Sequence, residues 1–265
     1  MEIPITVREF GLFQRLLYEL AGVNLGPSKQ MLVAGRLAKR LKHYQLTSYG
    51  EYYQLIQQRQ EELRVAVDLL TTHETYFFRE PRHFEILREQ VFPGRSLGHL
   101  FRFWSAACSS GEEVYSAAMV LAESLGQAPW EVLGSDIATS MLDKAQSGLY
   151  PLERMSGISK DLLHRYCLKG IGPQQGNFRI DPHLCQRIRF MQINLNENLP
   201  AIGEFDVIFL RNILIYFDQQ TKHKVIEHLL PKLRSQGWLF LGHSESLAGM
   251  MLGLRQMAPS VYRKS

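Results

Sequence analysis

From Leu100 onward the chain alternates short apolar runs with amphipathic ones, and that alternation restricts the fold more than any other feature. "LFRFWSA" reads as an apolar strand running into the small residues "ACSSG". The helix pattern "EEVYSAAMVLAESLG" follows, then the strand "WEVLGSD", which ends on Asp136, then the helix "IATSMLDKAQSG". "RIRFMQINL", "FDVIFLRNILIYF" and "GWLFLGHSE" are three further strand candidates, with the helix "DQQTKHKVIEHLLPKL" between the last two. Strands and helices taking turns predict an α/β fold, an open sheet with a mostly parallel core, because parallel neighbours need a crossover that a helix supplies. Ligands of such sheets bind beyond the carboxyl ends of the strands.

Two segments depart from the alternation. Residues 1–70 read as an all-α N-terminal domain. "REFGLFQRLLYEL" places Phe10, Phe13, Leu17 and Leu20 on one stripe, and Asn24 to Pro27 break the pattern. "SKQMLVAGRLAKRLKHY" resumes it, Ser48 is placed to cap "YGEYYQLIQQ", and "QEELRVAVDLL" is a fourth helix. Residues 71–90 then form a linker that contributes to the site, and 91–265 form the ligand-binding domain. Within it, about residues 149–190 interrupt the alternation. There "KGIGPQQGNFRI" sets Gly170, Gly172 and Gly176 around a proline, the pattern of a small antiparallel β-insertion with a glycine-rich turn.

Composition excludes several classes. Hydrophobic residues make up 45% of the 265, enough for a sizeable core. Cys108, Cys167 and Cys185 have no metal-ligand spacing, so no metal is expected. They read as free thiols of a reducing, cytoplasmic compartment. "MEIPITVREFGLF" has no secretory pattern, and no apolar run approaches the roughly 18 residues of a membrane span, so no membrane insertion is expected. A net charge of +4 allows an acidic partner without requiring nucleic acid.

The turn Ser105 to Gly111 sits where a nucleotide-binding turn would, after a strand and before a helix. It lacks G-x-G-x-x-G, and Glu112 and Glu113 would repel phosphates. A nucleoside with a cationic end fits better, as in S-adenosylmethionine (AdoMet). The competing reading is that both carboxylates only favour the helix N-terminus. Asp136 is placed either to accept ribose hydroxyls or to cap the next helix. Arg211 and Asn212 interrupt an apolar strand at its carboxyl end. Asn212 and Tyr216 are candidates to line the cleft, against a structural hydrogen bond at a turn.

"TTHETYFFREPRHF", "FWSAACSSGEEVYSAAMVL", "GSDIATSMLDKAQSGLY", "INL", "FDVIFLRNILIYFD" and "LFLGHSES" occur in the order of the chemotaxis-receptor methyltransferases. The chain resembles that CheR family over about residues 10–264. The resemblance implies an AdoMet-dependent sheet and transfer of a methyl group to receptor glutamates on a cytoplasmic helical bundle, leaving S-adenosylhomocysteine. The alternative is a methyltransferase-like protein with another substrate or an adaptor role. The implied cofactor contacts are His73, Thr75, Arg79, Glu113, Asp136, Asn194, Leu195, Asn212 and Ile213, and the implied catalytic pair is Arg79 and Tyr216. His73 stands where many members carry Asn. The insertion, with Gly170, Gly172 and Gly176, resembles a subdomain that binds a receptor's C-terminal tail peptide in some members.

Arg36, Lys39 and Arg40 share a basic helix stretch with Lys29 and Lys42. Two readings stay open, a docking face for an acidic receptor helix and a solvated stripe. Nucleic acid is disfavoured, because no exposed-looking aromatics interleave the basic residues.

Overall fold

The structure is a computed structural model and describes residues 3–93, 98–250 and 253–265. Four helices open the chain: α1 (Val7–Ala21), α2 (Gln30–His43), α3 (Tyr49–Gln58) and α4 (Gln60–Leu70). Thr6 and Glu9 close a reciprocal capping box at the start of α1, and Gly22 ends it with a left-handed φ of 71°. Ser48 caps α3 by accepting a hydrogen bond from the Glu51 N–H. Phe10, Phe13 and Leu17 are buried as the periodicity predicts. Leu16 joins them, whereas Leu20 is only half-buried.

A short helix α5 (Pro81–Ile86) follows the junction. Then come β1 (Phe101–Ser105), α6 (Glu112–Leu125), β2 (Trp130–Asp136) and α7 (Thr139–Ser147). The insertion holds β3 (Leu149–Pro151), α8 (Lys160–Tyr166), β4 (Cys167–Lys169), β5 (Asn177–Ile180) and α9 (Pro182–Cys185). The chain then runs through β6 (Ile188–Gln192), β7 (Phe205–Leu210), α10 (Gln219–Leu229), β8 (Leu233–Leu241), β9 (Leu254–Ala258) and β10 (Val261–Lys264).

The main sheet has the order β6-β2-β1-β7-β8-β10-β9. Pairings from β6 to β8 are parallel, and the β9–β10 hairpin adds antiparallel strands at one edge. Those last two strands are absent from the sequence reading, because "LRQMA" and "VYRK" are short and alternate weakly. Connections from β1 run first toward β6 and later toward β8, so the order reverses at β1. A crevice opens beyond the carboxyl ends at such a switch point.

Period-2 alternation sends neighbouring strand residues to opposite faces. Trp104, Ile208 and Leu239 join the N-terminal helices and α10 in one core. Phe103, Phe209 and Phe240 join α5, α6 and the insertion in the other. The N-terminal helices thus cover one face of the sheet. Tyr18 Oη donates to Asp218 at 2.9 Å, and Val23 bridges Phe217 in antiparallel fashion.

In the insertion β3, β5 and β4 pair antiparallel in that order. A Cβ on Gly170 would lie 2.0 Å from the Gln174 carbonyl oxygen, so the turn admits no side chain there. Phe77 seats the junction under this unit, its ring 5.1 Å from that of Tyr150 and 5.8 Å from that of Phe178.

Candidate active site

A cavity of about 550 Å³ opens where β1, β2, β6 and β7 end, and the 71–79 segment and the α1–α2 connection complete its walls. The loop leaving β1 is stitched across neighbouring strands. The Ala106 N–H donates to the Phe209 carbonyl and the Cys108 N–H to the Ser135 carbonyl, each at 2.8 Å. Gly111 takes φ 93°, and a Cβ there would approach Ala145 Cβ to 2.8 Å. The loop therefore turns tightly into α6.

Asp136 ties the loop after β1 to the approach to α7. Its Oδ1 accepts from the Ala138 N–H at 3.0 Å, and its Oδ2 accepts from the Ser109 N–H at 2.8 Å. A carboxylate has about four acceptor positions, so capacity remains for hydroxyl donors from the cavity. Burial pushes its carboxyl above the ordinary range.

Successive helix residues point about 100° apart, and that separates the paired carboxylates. Glu113 lines the cavity, accepting from Ser105 Oγ at 2.7 Å and from Arg211 Nη1 at 2.9 Å. Burial raises its pKa while Arg211 opposes the rise. Glu112 turns toward the insertion, bonded by Ser110 Oγ at 2.6 Å and lying 3.5 Å from Arg154.

His73, Thr75 and Arg79 line the cavity from the junction. His73 Nε2 sits 2.9 Å from both Thr71 Oγ1 and the Asp68 carbonyl, so that nitrogen serves the end of α4. Thr75 is buried, and its carbonyl accepts from Arg154 Nη1 at 2.8 Å. Arg79 Nη1 donates to the Glu74 carbonyl at 2.6 Å, and its guanidinium lies 5.7 Å from the Tyr76 ring centroid.

Asn194, Leu195, Asn212, Ile213 and Tyr216 line the same cavity from the strand ends. Asn194 Nδ2 donates to the Leu20 carbonyl at 2.6 Å and to Glu197 at 2.8 Å, tying α1 to the sheet. Asn212 has a left-handed φ of 57°. Its N–H donates to Glu245 Oε2 at 2.8 Å and its Nδ2 to Glu80 Oε1 at 3.1 Å. The Tyr216 carbonyl accepts from the Asn24 N–H at 2.8 Å. Every residue expected to meet the cofactor or the reacting groups thus borders one cavity.

The basic stretch on α2 is not a uniform surface. Arg36 borders the cavity and donates to the Leu70 and Thr71 carbonyls at 2.8 and 3.0 Å, closing the C-terminal end of α4. Arg40 Nε donates to Glu62 at 2.7 Å, and Tyr52 Oη and Tyr44 Oη reach the same buried carboxylate at 2.6 and 2.9 Å. Two of the three cations expected to face a receptor are therefore engaged internally. Lys39 remains exposed.

The sequence assigns no site role to Glu80, Ser105 or the Asn24–Gly26 wall, and it marks Arg211 only as a polar residue that needs a partner. The polar pair at the end of an apolar strand was the available signal. Glu80, His83 and His243 bring three metal-ligating side chains within 4.8 Å of one another. Arg211 already holds the Glu80 oxygen that faces them, at 3.1 Å, so the group reads as part of an ion-pair network.

Residues 8–71 match the family description "CheR methyltransferase, all-alpha domain", and residues 73–262 match "CheR methyltransferase, SAM binding domain". "Chemotaxis protein methyltransferase 2" of Pseudomonas aeruginosa is 39% identical over 264 residues, covering 98% of this chain and 94% of that relative. "Chemotaxis protein methyltransferase" of Escherichia coli is 38% identical, covering 99% and 93%. The Borreliella burgdorferi protein of the same name is 31% identical, covering 100% and 97%.

Proposed function

Because the chain belongs to the CheR methyltransferase family, and is thus an AdoMet-dependent methyltransferase of chemotaxis, we propose that it esterifies glutamate side chains on the cytoplasmic helical bundle of chemoreceptors. The products would be glutamyl methyl esters and S-adenosylhomocysteine. The observation that carries this reading is the meeting of Arg79 and Tyr216 with Asp136 and Glu113 around one cavity.

The donor set suits the cofactor. Asp136 offers acceptors for hydroxyl groups, Glu113 offers negative charge to a cationic end, and Arg211 beside them is already paired with carboxylates. A cavity of about 550 Å³ lies within the usual range for small-molecule sites. When bound, AdoMet supplies a methyl group on a sulfonium centre.

A glutamate has a reference pKa of about 4.3 and enters at neutral pH as a carboxylate, so no strong base is required. The protein's task is to strip water from that carboxylate and aim it. Arg79, with Nη1 anchored on the Glu74 carbonyl, presents its remaining donors as a planar fork that can hold a carboxylate. Tyr216 adds a hydroxyl donor. Orientation of this kind can lower a barrier by as much as ~7–11 kcal/mol. Labelled AdoMet and a receptor cytoplasmic fragment test the proposal. Base-labile label on glutamate supports it, and label elsewhere, or none, points to another substrate or an adaptor role.

We further propose that the insertion takes a receptor's C-terminal tail peptide. Among the described residues β4 pairs only with β5, which leaves its other edge open for strand addition. Leu168 on β4 and Ile171 just after it are 50% and 82% exposed, and Gly172 and Gly176 hold the adjoining turn with left-handed φ. Tail peptides from the host's receptors should bind in the micromolar range and fail to bind once the Gly170–Gly176 turn is shortened. If none binds the wild-type protein, the enzyme works without a tether.

A further inference from the structure

We infer that Arg211 is a positioning residue. It fixes the backbone of residues 78–80 and thereby sets how Arg79 enters the cavity, an inference that rests on the methyl-transfer reading of that cavity. Arg211 directly follows β7, and its side chain is 1% exposed. Three directions of its guanidinium are used. Nη1 donates to Glu113 Oε2 at 2.9 Å, Nε to Glu80 Oε2 at 3.3 Å, and Nη2 to the Arg79 carbonyl. One planar cation thus joins the strand end to α6 and to the main chain of Arg79 itself.

The segment it grips needs such a hold. Phe78 and Glu80, on either side of Arg79, adopt left-handed φ of 56° and 57°. Side chains with a Cβ disfavour that region, so the conformation persists only where surroundings impose it. The Phe78 N–H donates to Ser116 Oγ at 2.9 Å, and Glu80 Oε1 accepts from Asn212 Nδ2 at 3.1 Å and the His243 N–H at 3.2 Å. Among the described residues Arg211 alone reaches both Glu80 and the Arg79 carbonyl. Phe84 and Phe209 flank it, with ring centroids 5.8 and 5.3 Å from its Cζ, which keeps water from replacing these bonds.

Lysine is the informative replacement. It keeps the charge between Glu80 and Glu113 but offers one compact ammonium where three directions are needed. In Arg211→Lys, kcat on a receptor fragment should fall about 100-fold, the scale of a misplaced catalytic group, with a smaller loss in S-adenosylhomocysteine affinity. Hydrogen exchange should speed up at the Phe78 and Arg79 amides. In the Arg79→Lys background the same change should alter kcat by no more than about twofold, because its effect runs through Arg79. Unchanged exchange in a folded Arg211→Lys protein, or losses that multiply in the double variant, would overturn the inference. Should Arg211→Lys fail to fold, Ser116→Ala removes one hold on the same segment and must show the same masking by Arg79→Lys; multiplying losses there also overturn it. A wild-type protein that methylates no receptor glutamate would count against the proposed function, while the exchange comparison would still decide the positioning.

Discussion

The Asp68 carboxylate accepts a hydrogen bond from the Ser140 N–H at 3.0 Å, so a residue in the last turn of α4 caps the first turn of α7. The N-cap position of α7 is Ala138, which offers no side-chain acceptor. A helix start that lacks its own cap thus borrows one from the N-terminal helices. Asp68→Ala should lower stability by about 1 kcal/mol, the usual worth of an N-cap, and Asp68→Asn by less. Urea unfolding of both variants checks this; equal losses would mean that charge, not hydrogen bonding, carries the effect.

Asp136 is expected to hold both the cofactor and the turn that cradles it. Asp136→Ala should weaken AdoMet and S-adenosylhomocysteine binding by about 10-fold or more, from loss of a charge-assisted hydrogen bond worth about 1.5–3 kcal/mol. Asp136→Asn keeps one acceptor for the Ser109 or Ala138 N–H, so it should fold normally and lose less affinity. Calorimetric titration returning wild-type affinity for the Ala variant would remove Asp136 from the site.

Lys39 and Arg40 are neighbours with different expected roles. Burial alone would raise the Glu62 carboxyl, but hydrogen bonds from Arg40, Tyr52 and Tyr44 hold it below the ordinary range. Arg40→Ala should cost about 3 kcal/mol, because it strands a buried charge. Lys39→Glu should leave stability within about 0.5 kcal/mol, as exposed substitutions usually do. If the α2 face docks on an acidic receptor helix, Lys39→Glu should raise KM for the receptor fragment, and added salt should do the same to the wild type. A KM indifferent to both would make the stripe a solvated surface.

His83 predicts a pH dependence. Its ring is 1% exposed, and neither nitrogen makes a hydrogen bond among the described residues; the nearest carboxylate oxygen, on Glu80, is 3.4 Å from Nδ1. Burial, reinforced by the Arg211 charge, pushes its pKa down to about 3. Between the unfolded value near 6.5 and that depressed one, the unfolded chain binds the extra proton, so this contribution is full above pH 6.5 and is lost as pH falls. Going from pH 7.5 to 5.0 should remove about 2 kcal/mol through this residue. Glu113, Asp136 and Glu245, whose burial raises their pKa values, act in the opposite sense. The comparison is therefore wild type against His83→Phe by urea unfolding at both pH values. Identical pH dependence would show that His83 does not titrate on unfolding in this window.

The strands and helices flanking the cavity were legible because their signals are local. "WEVLGSD" is apolar and bounded, and β2 spans Trp130–Asp136. The Ser48 cap and the turn before α6 were also readable from neighbouring residues. The closing hairpin was not, because β9 and β10 mix apolar with Arg, Gln and Lys. They become strands by pairing with β8 and with each other.

By itself the sequence determined the alternation of strands and helices, the end of β2 at Asp136, and the polar pair that follows the apolar run of β7. Each depends on residues a few positions apart, within reach of backbone periodicity and capping. Tertiary structure decided the partners. It sent Glu113 toward the cavity and Glu112 toward the insertion, gave Arg40 to Glu62 across 22 positions, and set Arg211 against Glu80 and Arg79 across more than 130. Such pairs form only once the sheet brings distant segments together. The energy of a buried charge depends on the partner that meets it there, and no local pattern encodes that partner.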